Sequence, residues 1–374
     1  MTKSMGTVVA RNLAPELTSV QECRQLTGSN PLFGAVFTQH MVTGQYDAEN
    51  GWHDFQVEPL SPFSFHPATS TLHYGQAIFE GLKAYAQPDG SIAVFRPEVN
   101  AQRFAASARR LAMPPLPEQV FEAAIQQLVD VERNWVPQGY GESLYLRPMM
   151  FARDARLTTR PSATYTFCLI ACPVGAYFPN GVSVVTVWIS EDYVRAVRGG
   201  TGEAKCAGNY AASFLAQQEA TANRCDQVVW LDAIDRETIE EMGGMNLYFV
   251  LDDGGQRKLI TPVPTGSLLK GVTRASLLTV ANDLGYQVEE RRITTEEWEH
   301  GSRTGTIVES FACGTAAVVT PVGAAKSRKG SFTIGDGAPG PVTMELRQRL
   351  LDIQHGRQKD THGWLCPIGP AEKG

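Results

Sequence analysis

Lys205 stands in a run of small residues, Gly199-Gly-Thr-Gly-Glu-Ala-Lys-Cys-Ala-Gly-Asn-Tyr210, that then opens a helix. Glycines at this density let another group approach the backbone closely. A nucleotide loop would do so, but a P-loop needs Gly-Lys followed by Ser or Thr, and here two residues separate Gly202 from Lys205. The dinucleotide motif G-x-G-x-x-G also fails, because Lys205 falls where its last glycine belongs. A lysine desolvated among small residues has a lowered pKa and becomes a nucleophile able to form a Schiff base with an aldehyde. The other reading of the segment alone is a glycine-rich loop with a surface lysine. Schiff-base formation is the reaction used by pyridoxal phosphate. That cofactor also needs a carboxylate on its pyridine nitrogen, a donor near the ring phenolate and an anion site for its phosphate.

Candidates for those groups follow along the chain. Strand alternation over 238–242 puts Ile239 and Glu241 on one face and Glu240 on the other, ahead of Gly243-Gly244. Glu241 then sits among apolar neighbours, where an unpaired carboxylate is costly, which fits either a structural salt bridge or a pyridinium partner. Gly271-Val-Thr-Arg274 begins a helix whose first amides and dipole form an anion site. Arg96, in Val94-Phe-Arg-Pro97, stands at a strand end and suits bidentate phosphate contact; Cys313-Gly-Thr-Ala316 adds a turn with amides and a hydroxyl.

The elements that must position these groups are mixed. Short strands fill 33–60, and 91–96 is another strand. Apolar residues at helical spacing mark helices from Asn100 to the Pro114-Pro115 stop and over 117–136. Strands follow at 143–152 and 164–171, the second almost continuously apolar, as a strand buried on both faces would be. The stretch 172–181 gathers two prolines and two glycines, the composition of an interdomain connection. Beyond it, strands at 182–189, 227–232, 238–242, 246–251, 258–261 and 306–320 alternate with helical stretches at 209–222, 273–284, 295–300 and 342–354. The expected organisation is two α/β domains with α+β character: 1–172, a loop 173–181, and 182–374 carrying Lys205.

Composition narrows the function. The chain has 374 residues, 43% hydrophobic and 19% charged, enough for one or two sizeable cores. A formal charge of -6 removes the attraction on which nonspecific nucleic-acid or anionic-membrane binding rests. No apolar run approaches the roughly 20 residues of a membrane helix, and the first residues lack the basic segment and apolar core of a secretory signal, so a cytoplasmic protein is expected. Seven scattered cysteines without a C-x-x-C pair argue for reduced thiols, and the seven histidines show no metal-ligand spacing, so no metal is expected.

Taken in order, His73-Tyr-Gly-Gln-Ala-Ile-Phe-Glu-Gly81, Phe95-Arg-Pro97, Tyr145-Leu-Arg-Pro148, 199–210, Glu241-Met-Gly-Gly-Met-Asn246, Gly271-Val-Thr-Arg274 and Gly314-Thr-Ala316 resemble the signature blocks of branched-chain amino-acid aminotransferases, members of the fold-type IV pyridoxal-phosphate enzymes. The resemblance runs from about Phe37 to about Pro321. It implies a two-domain fold-type IV architecture, pyridoxal 5'-phosphate as cofactor, a homodimer, and transfer of the amino group of leucine, isoleucine or valine to 2-oxoglutarate, giving glutamate. The same resemblance makes Lys205 the Schiff-base lysine and proton shuttle, Tyr210 the partner of the phenolic oxygen and Glu241 the partner of the pyridine nitrogen. Arg96, the amides of Val272 and Thr273, and Thr315 match the phosphate cup; Thr315 and Ala316 also match the substrate-carboxylate element. Phe37, Tyr74, Phe79, Tyr145 and Tyr177 match the pocket wall, and Arg147 either orients that wall or assists anionic substrates. Gly244 replaces the threonine of animal members, and Ala317 and Thr320 replace their redox cysteines, so no thiol switch is expected. The alternative within the same fold is a D-amino-acid aminotransferase or aminodeoxychorismate lyase, against which the Tyr-x-Arg-Pro and Glu-x-Gly-Gly-Met-Asn blocks speak.

Overall fold

The computed structural model describes residues 10–14, 16–28, 31, 33–176 and 182–369. The chain forms two compact units: Met1–Tyr177 with Ala204–Ala207 and Gln354–Gly374, and Phe178–Glu203 with Gly208–Ile353. The division near Tyr177 falls inside the expected loop, of which 177–181 lies outside the described residues. The expectation of one crossing is corrected at two places. The tetrapeptide carrying Lys205 and the C-terminal segment both count with the first unit.

The first unit is built on a nine-stranded sheet. Its strand order is Ala10–Arg11, Gly51–Pro59, His40–Asp47, Tyr165–Val174, Ser143–Ala152, Leu82–Ala86, Ile92–Phe95 and Leu365–Ile368, with Ala77–Phe79 also paired to Ser143–Ala152. Apart from the parallel pairing of Ala10–Arg11 the ladders are antiparallel, which is the α+β character expected. Tyr165–Val174 is buried except at Ile170, as its almost continuously apolar run requires. Helices Pro97–Arg110 and Glu118–Val131 turn their apolar faces into one core, where Phe104, Phe121, Leu128 and Phe167 meet. Pro97 occupies the first helical turn, where its missing N–H is no loss.

The second unit rolls its sheet into a ring. Strands Ile239–Met242, Gln227–Leu231, Val185–Ile189, Val318–Ser327, Ile307–Gly314 and Met245–Asp253 pair in that order, and Met245–Asp253 pairs back onto Ile239–Met242. Closure leaves those two strands no free edge at their joined ends. Gln256–Pro262 and Gln287–Arg291 extend the sheet from Met245–Asp253. The helix expected over 209–222 is broken into Ala207–Ala211 and Phe214–Ala222, because the Ser213 hydroxyl donates to the Tyr210 carbonyl (2.6 Å) and diverts a helical acceptor.

Trp298, fully buried, donates its indole N–H to Ser310 Oγ (2.9 Å) and packs edge-on against Phe249 and Phe332. Trp298→Ala is expected to destabilise the second unit by about 3–5 kcal/mol, through a cavity and an unsatisfied hydroxyl. The check is a lower urea midpoint; an unchanged midpoint would contradict the packing described.

Candidate active site

In the first unit, the backbone of Lys205 is sewn in from both sides. Its N–H donates to Ser107 Oγ (3.0 Å), and its carbonyl accepts from the Phe79 N–H (3.0 Å), while Cys206 forms an antiparallel bridge with Ile78. Ser107 is buried on helix Pro97–Arg110, a polar residue on an apolar face whose purpose the sequence alone did not reveal. Lys205 itself is half-buried, with Nζ 5.3 Å from the centre of the Phe79 ring. Arg147 lies over the same ring (4.8 Å) and over Tyr145 (5.3 Å), donating to the Tyr145 hydroxyl at 2.9 Å. Its Nε is buried without a hydrogen-bond partner in the described structure. Lys205, Phe79, Tyr145 and Arg147 therefore form one cluster. Phe37 (40% exposed) and Tyr74 (43% exposed) stand at the surface among the described residues and are not brought into it, and Tyr177 lies outside the described residues.

Beneath this cluster is a group that the sequence reading missed. Glu80, fully buried, accepts from Arg103 Nε (2.6 Å) and Nη2 (2.8 Å), from Asn100 Nδ2 (2.8 Å) and from the Gly81 N–H (3.0 Å). Burial alone would raise its pKa, but the Arg103 charge and hydrogen bonds, the charge of Lys205 and the Asn100 bond bring it below the ordinary value. Arg96, also in this unit, is the N-cap of helix Pro97–Arg110 and adopts a left-handed conformation (φ 50°, ψ 49°), uncommon for a residue with a side chain.

In the second unit, Glu241 sits on strand Ile239–Met242, just before the two-residue turn Gly243-Gly244. The Leu269 N–H donates to Oε1, and Arg195 Nε lies 3.5 Å from Oε2. Arg195 also donates to the carbonyls of Gly202 (3.2 Å) and Ser267 (3.0 Å), so one guanidinium ties the carboxylate to two loops. Here one expectation is corrected. The ladder shifts by one residue between Trp230 and Leu231, so that Ile239 and Glu241, rather than alternate residues with Glu240 opposite, flank a bulge at Glu240. Glu240 consequently receives a hydrogen bond from Ser267 Oγ, on the same 265–269 loop that binds Glu241. Burial pushes its pKa up, opposed by the Ser267 bond.

Tyr210, on helix Ala207–Ala211, lies against the glycine turn: a Cβ added to Gly244 would meet Tyr210 Cε1 at 3.6 Å. Asn209 holds the preceding loop by donating to the Thr201 carbonyl (2.8 Å) and accepting from its hydroxyl (2.6 Å). Helix Val272–Asp283 starts at Gly271 with no side-chain cap, which leaves the Val272 and Thr273 amides at its positive end to an outside acceptor. Thr315 and Ala316 form the turn between strands Ile307–Gly314 and Val318–Ser327. That turn ends on Val318 at φ 62°, a strained conformation for a β-branched residue and one that clusters at functional sites.

These donors suit pyridoxal phosphate: an amine for its aldehyde, an oriented carboxylate for its ring nitrogen, and an uncapped helix end for its phosphate. The family model "Amino-transferase class IV" matches residues 77–325. The branched-chain-amino-acid aminotransferase of Mycolicibacterium smegmatis is 54% identical over 361 residues, covering 96% of this chain and 97% of that protein. The chain belongs to the branched-chain-amino-acid aminotransferases of class IV. A probable branched-chain-amino-acid aminotransferase of Streptomyces coelicolor is 56% identical, covering 90% of this chain and 92% of its own. Among solved structures, a T.th. branched-chain amino acid aminotransferase with pyridoxamine 5'-phosphate is 30% identical at a TM-score of 0.70, covering 88% of this chain and 98% of that one. One of the Escherichia coli enzyme is 27% identical at a TM-score of 0.70, covering 88% and 99%. As a branched-chain aminotransferase of this class, the protein uses pyridoxal 5'-phosphate.

The carboxylate pair gives a prediction. Glu241→Gln should leave the protein folded but lower turnover by roughly two to four orders of magnitude, the range for losing a charge that acts mainly in the transition state. Glu240→Gln, which still accepts from Ser267, should cost less than about tenfold, and Glu240→Ala, which frees the shared loop, should fall between them. Steady-state turnover of the three variants ranks them, and a larger loss in Glu240→Gln than in Glu241→Gln would reverse the assignment.

Proposed function

We propose that the enzyme transfers the amino group of leucine, isoleucine or valine to 2-oxoglutarate, with Lys205 as its catalytic residue. The observation that carries this reading is the cluster of Lys205, Phe79, Tyr145 and Arg147, which combines aromatic faces for an aliphatic side chain with one cation for an acidic one. When bound, pyridoxal phosphate supplies an aldehyde that takes up the amino group and a ring that accepts the electron pair released at Cα. The chain's own residues do the rest. Lys205 Nζ would hold the cofactor through its aldehyde carbon and, once released as the free amine, would carry the proton from the amino acid Cα to that same carbon, and back again in the opposite half-reaction. Glu241, oriented by Arg195 and the Leu269 amide, keeps the ring nitrogen protonated, and Tyr210 donates to the ring oxygen. Arg96, the Val272 and Thr273 amides and Thr315 hold the phosphate. Thr315 and Ala316 orient the substrate carboxylate, with Phe37, Tyr74 and Tyr177 proposed as further wall residues.

Arg147 is the specificity element for the acidic partner. Its buried Nε without a partner, beside apolar rings, suits the distal carboxylate of glutamate or 2-oxoglutarate and is idle when a branched side chain occupies the wall. Identity to branched-chain enzymes weighs against the D-amino-acid and lyase alternatives. No described helix is long and apolar enough to cross a membrane, and we place the enzyme in the cytoplasm. We also propose a homodimer. Leu72 and Leu157, 60% and 66% exposed, lie on segments joined by the Thr69–Ala155 bridge and are surface that a second copy would cover.

An amino-donor panel with 2-oxoglutarate tests the reading: L-leucine, L-isoleucine and L-valine should be used and D-alanine should not. Lys205→Ala should abolish turnover. Arg147→Met should raise KM for 2-oxoglutarate by about 10- to 100-fold, the loss of a charge-assisted hydrogen bond, while KM for leucine stays within about threefold. Equal changes for both substrates would remove Arg147 from this role.

A further inference from the structure

The segment around strand Leu365–Ile368 lies beyond the 77–325 stretch matched by the family model, yet that strand begins beside Arg96. Strand Leu365–Ile368 pairs antiparallel with Ile92–Phe95, with Leu365 opposite Phe95, so the residue before it, Trp364, meets the residue after Phe95, which is Arg96. Two contacts result. The Trp364 carbonyl accepts the Arg96 N–H at 2.8 Å, and the Arg96 guanidinium lies over the Trp364 ring, 5.0 Å from its centre. One residue thus grips both the backbone and the side chain of an arginine in an uncommon left-handed conformation.

Trp364 is itself held. It is buried, Phe95 packs against it edge-on at 5.6 Å, and the His362 ring stacks on it at 4.6 Å. Gly363, at φ 67°, turns the chain into it, and Asp360 accepts from the His362 N–H (3.1 Å) and the Leu365 N–H (2.7 Å) to fix the turn. The chemistry of the contact matters. An aromatic ring attracts a guanidinium without offering it an oxygen or nitrogen acceptor, so the contact by itself uses up no N–H donor. Glu98, on the same helix, forms an ion pair with Nε at 4.0 Å.

We propose that Trp364 is a positioning residue for the phosphate of the cofactor, holding both the backbone and the guanidinium of Arg96 in place for that anion. The inference rests on the assignment of Arg96 to the phosphate. It makes the end of the chain part of cofactor binding, although none of its residues need touch the cofactor.

The test uses the full-length enzyme stripped of cofactor and titrated with pyridoxal 5'-phosphate and with pyridoxal, which lacks the phosphate, followed by absorbance. Trp364→Leu keeps an apolar, though smaller, side chain and removes the π face, and Trp364→Phe keeps a ring. Trp364→Leu is expected to weaken pyridoxal phosphate by about 3- to 30-fold, the range for a desolvated cation–π contact, with pyridoxal unchanged. Trp364→Phe should recover most of the loss. In an Arg96→Ala background, Trp364→Leu should have no further effect, because the two residues act as a unit. If Arg96→Ala leaves pyridoxal phosphate binding unchanged, the phosphate assignment of Arg96 fails. If Arg96→Ala weakens it and Trp364→Leu does not, or if Trp364→Leu weakens pyridoxal equally, or if Leu and Phe behave alike, the positioning role is overturned.

Discussion

Two hydrogen bonds to the peptide of Lys205 set the terms for the rest of the molecule. The residues on either side, up to Glu203 and from Gly208, belong to the second unit, while Ala204–Ala207 belongs to the first. A short excursion of this kind has little core of its own, so it is held by backbone bonds: to Ser107 on one side and from Phe79 on the other. Phe79 is also the ring beneath the Lys205 amine and the Arg147 guanidinium, so the strand that anchors the lysine builds the wall beside it. The small residues around Lys205 gain a specific meaning. Gly202 runs so close to the Ser267 carbonyl that a Cβ there would overlap it, and backbone against backbone has no side chain to move aside.

Helix Pro97–Arg110 joins these parts. Arg96 caps its start, Asn100 and Arg103 bind Glu80, and Ser107 binds Lys205, a span of eleven residues or about 16 Å of rise. A rigid rod therefore fixes Arg96, which we propose holds the phosphate, and Ser107, the anchor of Lys205, at a set separation, while its apolar face, with Phe104 fully buried, keys it into the core. In the second unit the closed ring of strands plays the corresponding part. The hairpin through Gly243-Gly244 closes the ring and carries Glu241 on one strand, so the orientation of the carboxylate depends on barrel register rather than on a free loop.

Much of this was legible in the residues. The almost continuously apolar run at 164–171 did become a central buried strand, and the helices around Phe104 and Leu128 follow their 3.6-residue period. The ordered sequence blocks already point to the family and its cofactor. What escaped the sequence was non-local or non-periodic. The bulge at Glu240 cannot be read from alternation, because one extra residue on a strand is defined by its partner's register. Leu365–Ile368 is four residues with a cysteine and a proline, too short for a periodic signal, and its place is fixed by pairing with a strand some 270 residues earlier. Ser107 and Glu80 look like ordinary polar residues until their partners are known; a polar side chain on an otherwise apolar helix face was the available clue.

Glu80 and Arg103 show why charge is kept at this depth. Burying an ion pair seldom gains stability over an apolar substitute, because desolvation offsets the attraction. Here the pair is saturated: Glu80 receives two bonds from Arg103, one from Asn100 and one from the Gly81 amide, and its pKa stays low despite complete burial. Four directed bonds fix a backbone far more narrowly than apolar packing would, since packing tolerates small slides and hydrogen bonds do not. The segment they fix is the turn after Phe79, whose N–H holds the Lys205 carbonyl. The ionic cluster is therefore better understood as a geometric reference for the lysine, and the core around it as what makes that reference rigid.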